Sequence, residues 1–429
     1  MRPAWRAALH RIFSAGFLYM LPKSTVLIAP LLLTRVMTIQ DYGLVEYSIA
    51  WATPFTVLLA LGMGGAVPYF LIKRRNPRYA QVFENYVVLM GILQVTALLF
   101  YQTHLLPLRP YLIALVSFVS VMQAIYAAKY KVDSSPVLAS AAESCLYIAL
   151  FLLAGLLWCV PQRWGVPGFA LVLNILSGAI ALTSLRNSRP DVKLRHTLFR
   201  FSAAVRFGLP LIAASVLLGV LSSGGRMLAG HFFPIVDVGI YGFLYRATAM
   251  TLVVYQIVST VFFRSLYEAE GDKLDRYFSA LFMLMFLLGA MSFTVGPFIL
   301  ARFFANYWYS GFDMLAIYLV LATHSVYWCG AAMLEMVLYR EKLGASLLYI
   351  SAVSILLLLI CAFVLQHFHA LTLIRLCQTH LGAMFVAFIA QLILLNRKRG
   401  FKFPRLMSAA FACMLVYIAT ASMLHIMKH

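Results

Sequence analysis

Eight ionisable side chains in long apolar stretches of this chain stand out as candidates: Lys23, Arg35, Arg226, Arg246, Arg375, Glu143, His324 and Glu335. The five bases have the chemistry to hold an anion, and arginine adds a planar fork that bonds phosphate oxygens in pairs. The acids and the imidazole have the chemistry to pass protons or to gate a path. An ionisable group at the middle of a bilayer costs about 3 kcal/mol or more, which makes each one a candidate for function. Each also has a plainer reading. Arg35, Arg226, Arg246 and Arg375 could snorkel to the outer interface, and Lys23 could be buried against a structural carboxylate. His324, Trp328 and Glu335 share one helical face, as a coupling or gating stripe or as a core histidine and an interfacial acid. Tyr245, Thr248, Gln256 and Ser259 form a polar face that suits sugar hydroxyls and helix–helix hydrogen bonds equally well. The six cysteines all lie in apolar runs without metal-ligand spacing, so they read as small buried residues. No catalytic residue, metal or cofactor is expected.

The elements that must position these groups are membrane helices. Of 429 residues, 63% are hydrophobic and 11% charged, with a mean hydropathy of +0.89. Soluble domains average about 45–50% apolar and about 25% charged residues. The fold class is therefore all-α, a polytopic integral membrane protein. Apolar windows of about 20 residues place thirteen spans. They lie near 13–37, 42–70, 81–103, 109–128, 136–160, 164–185, 207–230, 238–263, 277–300, 312–338, 344–366, 370–395 and 406–427. Nothing alternates as barrel strands would.

The net charge of +20 would point a soluble protein toward nucleic acid, but its distribution says otherwise. Alternate loops carry 25 lysines and arginines, from Arg2 and Arg6 through Lys73–Arg75 and Arg186–Arg206 to Arg397–Arg405. The intervening loops carry only Arg109, Arg163, Arg302 and Lys428. The excess marks the cytoplasmic side, which puts the N-terminus inside and the C-terminus on the far side. No nucleic-acid partner is expected; the surroundings are membrane lipids. At 1.5 Å per residue, Lys23 lies roughly 15 Å in from the cytoplasmic face, and Arg246 and Arg375 roughly 12 and 8 Å from the other.

The basic start of the chain is followed by too long an apolar run for a signal peptide, and no small-residue cleavage site follows, so a retained first helix is expected. Residues 1–12 read as a short interfacial helix with Trp5, Leu9 and Ile12 toward lipid. The organisation expected is a six-helix lobe over 1–185, a basic linker at 186–206, a second six-helix lobe over 207–395, and an extra helix in 396–429. Each lobe opens alike: Leu21-Pro22, Arg35 and Tyr42-Gly43 in one, Leu209-Pro210, Arg226 and Tyr241-Gly242 in the other. That echo is either a parallel repeat, a common transporter plan, or the chance recurrence of short motifs.

Further motifs carry a family resemblance. Leu33-Thr34-Arg35 followed by Asp41-Tyr42-Gly43, then Phe207-Gly208-Leu209-Pro210, Arg226 and Val238-Gly239-Ile240-Tyr241 resemble the polysaccharide flippases. These are the Wzx-type, O-antigen branch of the multidrug/oligosaccharidyl-lipid/polysaccharide exporter superfamily. Gly225 departs from the pattern, which has aspartate there, and a thirteenth helix is one more than usual. The resemblance implies two helical lobes around a cationic central cavity in the bacterial inner membrane. It further implies a polyprenyl-pyrophosphate-linked oligosaccharide as substrate, moved outward for lipopolysaccharide synthesis, with a polysaccharide polymerase as a protein partner. On this reading Lys23, Arg35, Arg226, Arg246 and Arg375 bind substrate, while Glu143, His324 and Glu335 couple or gate. The rival readings are a multidrug antiporter of the same superfamily, which would want acids in its cavity, and a membrane glycosyltransferase or polymerase. An enzyme is disfavoured because the first outer loop offers only Asp41, and the one Glu-x-Glu, Glu268-Ala269-Glu270, lies on the cytoplasmic side.

Overall fold

In hydrocarbon the backbone has no water to bond, so a helix that satisfies its own N–H and C=O groups is the natural outcome for such a sequence. The computed structural model describes residues 3–133, 135–159, 164–188, 194–261, 266, 269–308, 312–341 and 343–428. About 90% of it is helix, and there is no strand among the described residues. Contacts divide the chain into two compact units, Met1–Val216 and Leu217–His429.

The first unit contains α1 (Pro3–Val36), α2 (Ile39–Ala60), α3 (Met63–Pro68), α4 (Arg78–Gln102) and α5 (Leu108–Val132). It continues with α6 (Pro136–Glu143), α7 (Cys145–Cys159), α8 (Gly165–Asn187) and the opening of α9 (Leu194–Phe232). Its centre is α5, with 72% of its apolar window buried, packed on α2, α4, α6 and α8. α1 packs along α7. The interfacial segment expected at 1–12 is joined to the first span without a turn, as no helix breaker intervenes after Pro3.

The second unit takes the rest of α9, then α10 (Ile235–Thr248), α11 (Met250–Val261), α12 (Gly271–Phe303) and α13 (Phe312–Arg340). It closes with α14 (Gly344–His367), α15 (Leu373–Arg399) and α16 (Pro404–Lys428). Here α13 is central, with 83% of its window buried, and packs on α10, α12 and α15. The extra helix α16 lies on α12 and α13 with only 11% buried. Asp275 of α12 holds its start, accepting bonds from the Arg405 and Leu406 N–H groups at 3.2 and 3.0 Å. These are donors a helix cannot satisfy by itself.

Among the described residues, nine helices are long and apolar enough to cross a membrane, and eleven if two bent pairs each count as one span. The other two of the thirteen expected spans fall on α1 and α9, of 34 and 39 residues. Three spans that read as continuous are broken. The stretch 42–70 breaks at Leu61 and Gly62, both at positive φ (48° and 70°). A Cβ on Gly208 would come within 2.6 Å of the Gly62 Cα, so α9 and this turn meet glycine to glycine. The pair α6–α7 bends by 67° and the pair α10–α11 by 42°. The basic linker expected at 186–206 is described only at its two ends. α8 reaches Asn187, residues 189–193 lie outside the described residues, and from Leu194 the chain is already α9. Of the loop charges, Arg2, Arg163, Arg264 and Lys342 also lie outside them, as does Glu268 of the Glu-x-Glu.

Candidate functional site

In the second unit, Arg226 approaches the end of α9 and Tyr241, Tyr245 and Arg246 follow on α10. Residues four apart share a helical face, so Tyr241 and Tyr245 stand one above the other. Arg226 is 6% exposed, and its guanidinium lies over the Tyr245 ring, 4.4 Å from the centroid. This is a cation–π contact, strengthened where water is excluded. Arg246, also 6% exposed, is the next residue on α10.

His380 of α15 completes the cluster. Its Nε2 lies 2.7 Å from the Leu221 carbonyl oxygen, and a carbonyl only accepts, so Nε2 carries the proton. Nδ1 is then the acceptor for the Tyr241 hydroxyl at 3.3 Å. His324 of α13 lies ring to ring with His380, centroids 4.2 Å apart. It is 1% exposed, and neither ring nitrogen has a hydrogen-bond partner among the described residues. The glycine at 225 has a steric cause. A Cβ there would overlap the Tyr241 hydroxyl and His380 Nδ1. The space that a motif aspartate would need is filled by this tyrosine–histidine pair.

The His324–Trp328–Glu335 face runs along one continuous helix, and its members meet different neighbours. Glu335 is eleven residues beyond His324, about 16 Å along the helix. Trp328 packs edge-on against Tyr255 at 6.2 Å. The polar face of 245–259 is likewise divided by the bend at Ala249. Thr248 turns its hydroxyl back to the Tyr245 carbonyl at 2.9 Å, Gln256 is exposed on α11, and the Ser259 side chain lies outside the description.

In the first unit, Lys23 and Glu143, distinct candidates in the sequence, form an ion pair at 2.6 Å. Lys131 pairs with the other oxygen of the same carboxylate. Arg35 is exposed in the last turn of α1, where a cation complements the helix dipole. Arg375, in the second unit, is exposed and donates to the Ala370 carbonyl at 2.7 Å. It lines a groove of 870 Å³ with Asp237, Asp313 and His369.

Three buried acids escaped the sequence reading. Glu46, fully buried, accepts from Tyr42 one turn earlier at 3.2 Å. Glu84 takes Lys129 and, at 3.0 Å, the Tyr126 hydroxyl. Tyr126 has one proton to give, so Ser184 donates to it across 2.8 Å. Asp275 is the cap described above. The signal available was position alone: each falls in or beside an apolar window. His380 was visible only as a histidine without a motif.

The comparisons agree with this architecture. The lipid II flippase MurJ in an inward closed conformation superposes with a TM-score of 0.63 at 13% identity, over 97% of each chain. The MATE multidrug transporter DinF-BH in complex with R6G gives 0.60 at 16% identity, over 90% of this chain and 95% of that one. An inward-facing multidrug resistance MATE family transporter of the MOP superfamily gives 0.52 at 16%, over 89% and 95%. No curated protein matches. The fold is all-helical and is the one these transporters and this flippase share. The model of the polysaccharide biosynthesis protein family matches residues 12–267. The chain belongs to that family.

Proposed function

We propose that this protein flips a polyprenyl-pyrophosphate-linked oligosaccharide from the cytoplasmic to the outer leaflet of the bacterial inner membrane by alternating access. Export of this kind would serve cell-surface polysaccharide such as O-antigen of lipopolysaccharide, beside a polysaccharide polymerase. The observation that carries the reading is the burial of Arg226 and Arg246 within membrane-spanning helices. A buried guanidinium group there is rare and is by default a candidate for a ligand site or path. A sugar headgroup and a pyrophosphate lose their hydration in hydrocarbon, and the bare anion would face tens of kcal/mol. Fixed positive charge and polar side chains replace that hydration. Lys23, Arg35 and Arg375 are proposed to serve the same anion along its route. Glu143, His324 and Glu335 are proposed to couple or gate. The MATE neighbours keep multidrug export as the rival, but the family favours a saccharide cargo.

The test is to delete the gene and examine the lipid-linked repeat units. Their accumulation on the cytoplasmic leaflet, with loss of surface polysaccharide, is the expected result. Normal surface polysaccharide, with a gain in sensitivity to cationic drugs, would hand the assignment to the rival.

A further inference from the structure

Glu143 is the last residue of α6, at the point where the chain bends by 67° into α7. Its carboxylate is divided between two helices. Lys23 of α1 reaches Oε2 at 2.6 Å, and Lys131 of α5 reaches Oε1. The Lys23 side chain is 14% exposed and Lys131 59%, so one ammonium is embedded and the other stands open. Two ammonium groups on one carboxylate leave a positive charge over. That is the composition of an anion site whose resident anion belongs to the protein.

The break makes the resident removable. A carboxylate in mid-helix would be held by the turns on both sides, whereas Glu143 ends a helix of eight residues. The start of α7 does not need it either. The Gln123 side-chain oxygen of α5 accepts the Leu146 N–H at 3.1 Å, so this end is capped whether or not Glu143 stays. A phosphate group offers more charge and more acceptor oxygens than a carboxylate, and bonds to ionised partners are the strong ones. It would outcompete Glu143 for both lysines. Without any anion, Lys23 would be an unpaired cation within a span, a costly state.

We propose that Glu143 is a displaceable internal counter-anion, whose place between Lys23 and Lys131 is taken by the phosphate of an isoprenoid pyrophosphate lipid. The inference rests on the flippase reading above and deepens it. While the site is empty Glu143 neutralises Lys23. When the headgroup arrives, the carboxylate swings out at the Ser144 break. When the headgroup leaves, the carboxylate returns and prevents rebinding.

The experiment measures binding of farnesyl pyrophosphate, and separately of inorganic pyrophosphate, to the full-length protein in nanodiscs. Glu143→Gln removes the competing anion, so farnesyl pyrophosphate is expected to bind about tenfold tighter or more. Lys23→Gln is expected to weaken it at least tenfold. In the double variant Lys23→Gln/Glu143→Gln, which leaves no embedded ammonium unpaired because Lys131 stands open, the gain from Glu143→Gln disappears. If Glu143→Gln leaves affinity unchanged or lowers it while wild type binds through Lys23, the counter-anion idea is overturned and the flippase reading stands. If the folded wild type and all variants bind no farnesyl pyrophosphate, the pyrophosphate-carrying reading falls and takes the inference with it. A gain for inorganic pyrophosphate alone would overturn the lipid as occupant in favour of a free anion.

Discussion

The Tyr241 hydroxyl and His380 Nδ1 meet at 3.3 Å directly against Gly225. One residue from α10 and one from α15 thus close over a backbone position of α9 that has no side chain. This contact decides what residue 225 can be, and so what stands beside Arg226.

Gly225→Ala should therefore destabilise the protein by about 1–3 kcal/mol, the usual cost of overpacking. Part of that loss should be recovered in Gly225→Ala/Tyr241→Phe, where the overlapping hydroxyl is gone. Thermal unfolding of the purified variants measures both. Strictly additive losses in the two single variants and the double would show that Tyr241 is not what excludes a side chain at 225.

The Asp275 cap gives a second, local expectation. Asp275→Ala leaves the Arg405 and Leu406 N–H groups without their acceptor. The loss should be about 0.5–2 kcal/mol, as for other helix caps. Hydrogen exchange should quicken in the first turn of α16 while α13 stays protected. Equal loosening of both helices would mean that Asp275 supports the unit as a whole.

Orientation follows from loop charge. Single cysteines, introduced after the native six are replaced, should label from the cytoplasm at residue 190 and from the outside at residue 426. Labelling of both from one side would remove an odd number of spans from the count, the exposed α16 first.

The energy source follows from the sign of the proposed site. If the cations stay with the protein, the charge that crosses is the pyrophosphate of the substrate. Moving an anion out of a negative interior is downhill by about 2.3 kcal/mol per charge per 100 mV, hence roughly 4–5 kcal/mol for two charges. No GxxxxGK[ST] occurs in the chain to bind ATP. Flipping in proteoliposomes should accelerate under a negative-inside potential and ignore ATP. Rates indifferent to voltage but steep in a pH gradient would move the drive to the protonatable groups.

Much of the architecture was legible in the chain by itself. Helix formation in hydrocarbon is decided locally, because each apolar run must satisfy its own backbone, and so the long helices coincide with the apolar windows. The family motifs were readable for the same reason: they are short and contiguous. What the sequence could not disclose is which faces of those helices meet. A helix between lipid and protein is apolar all round, so periodicity does not separate its buried side from its lipid side. Lys23 and Glu143 are 120 residues apart and Tyr241 and His380 are 139 apart. Only the packing of α1 against α6 and α7, and of α9, α10 and α15 within the second unit, brings them together. The breaks at Leu61–Gly62, Ser144 and Ala249 belong to the same class. No proline marks them, and the turn at Gly62 is set by the close approach of Gly208, a residue nearly 150 positions further along the chain.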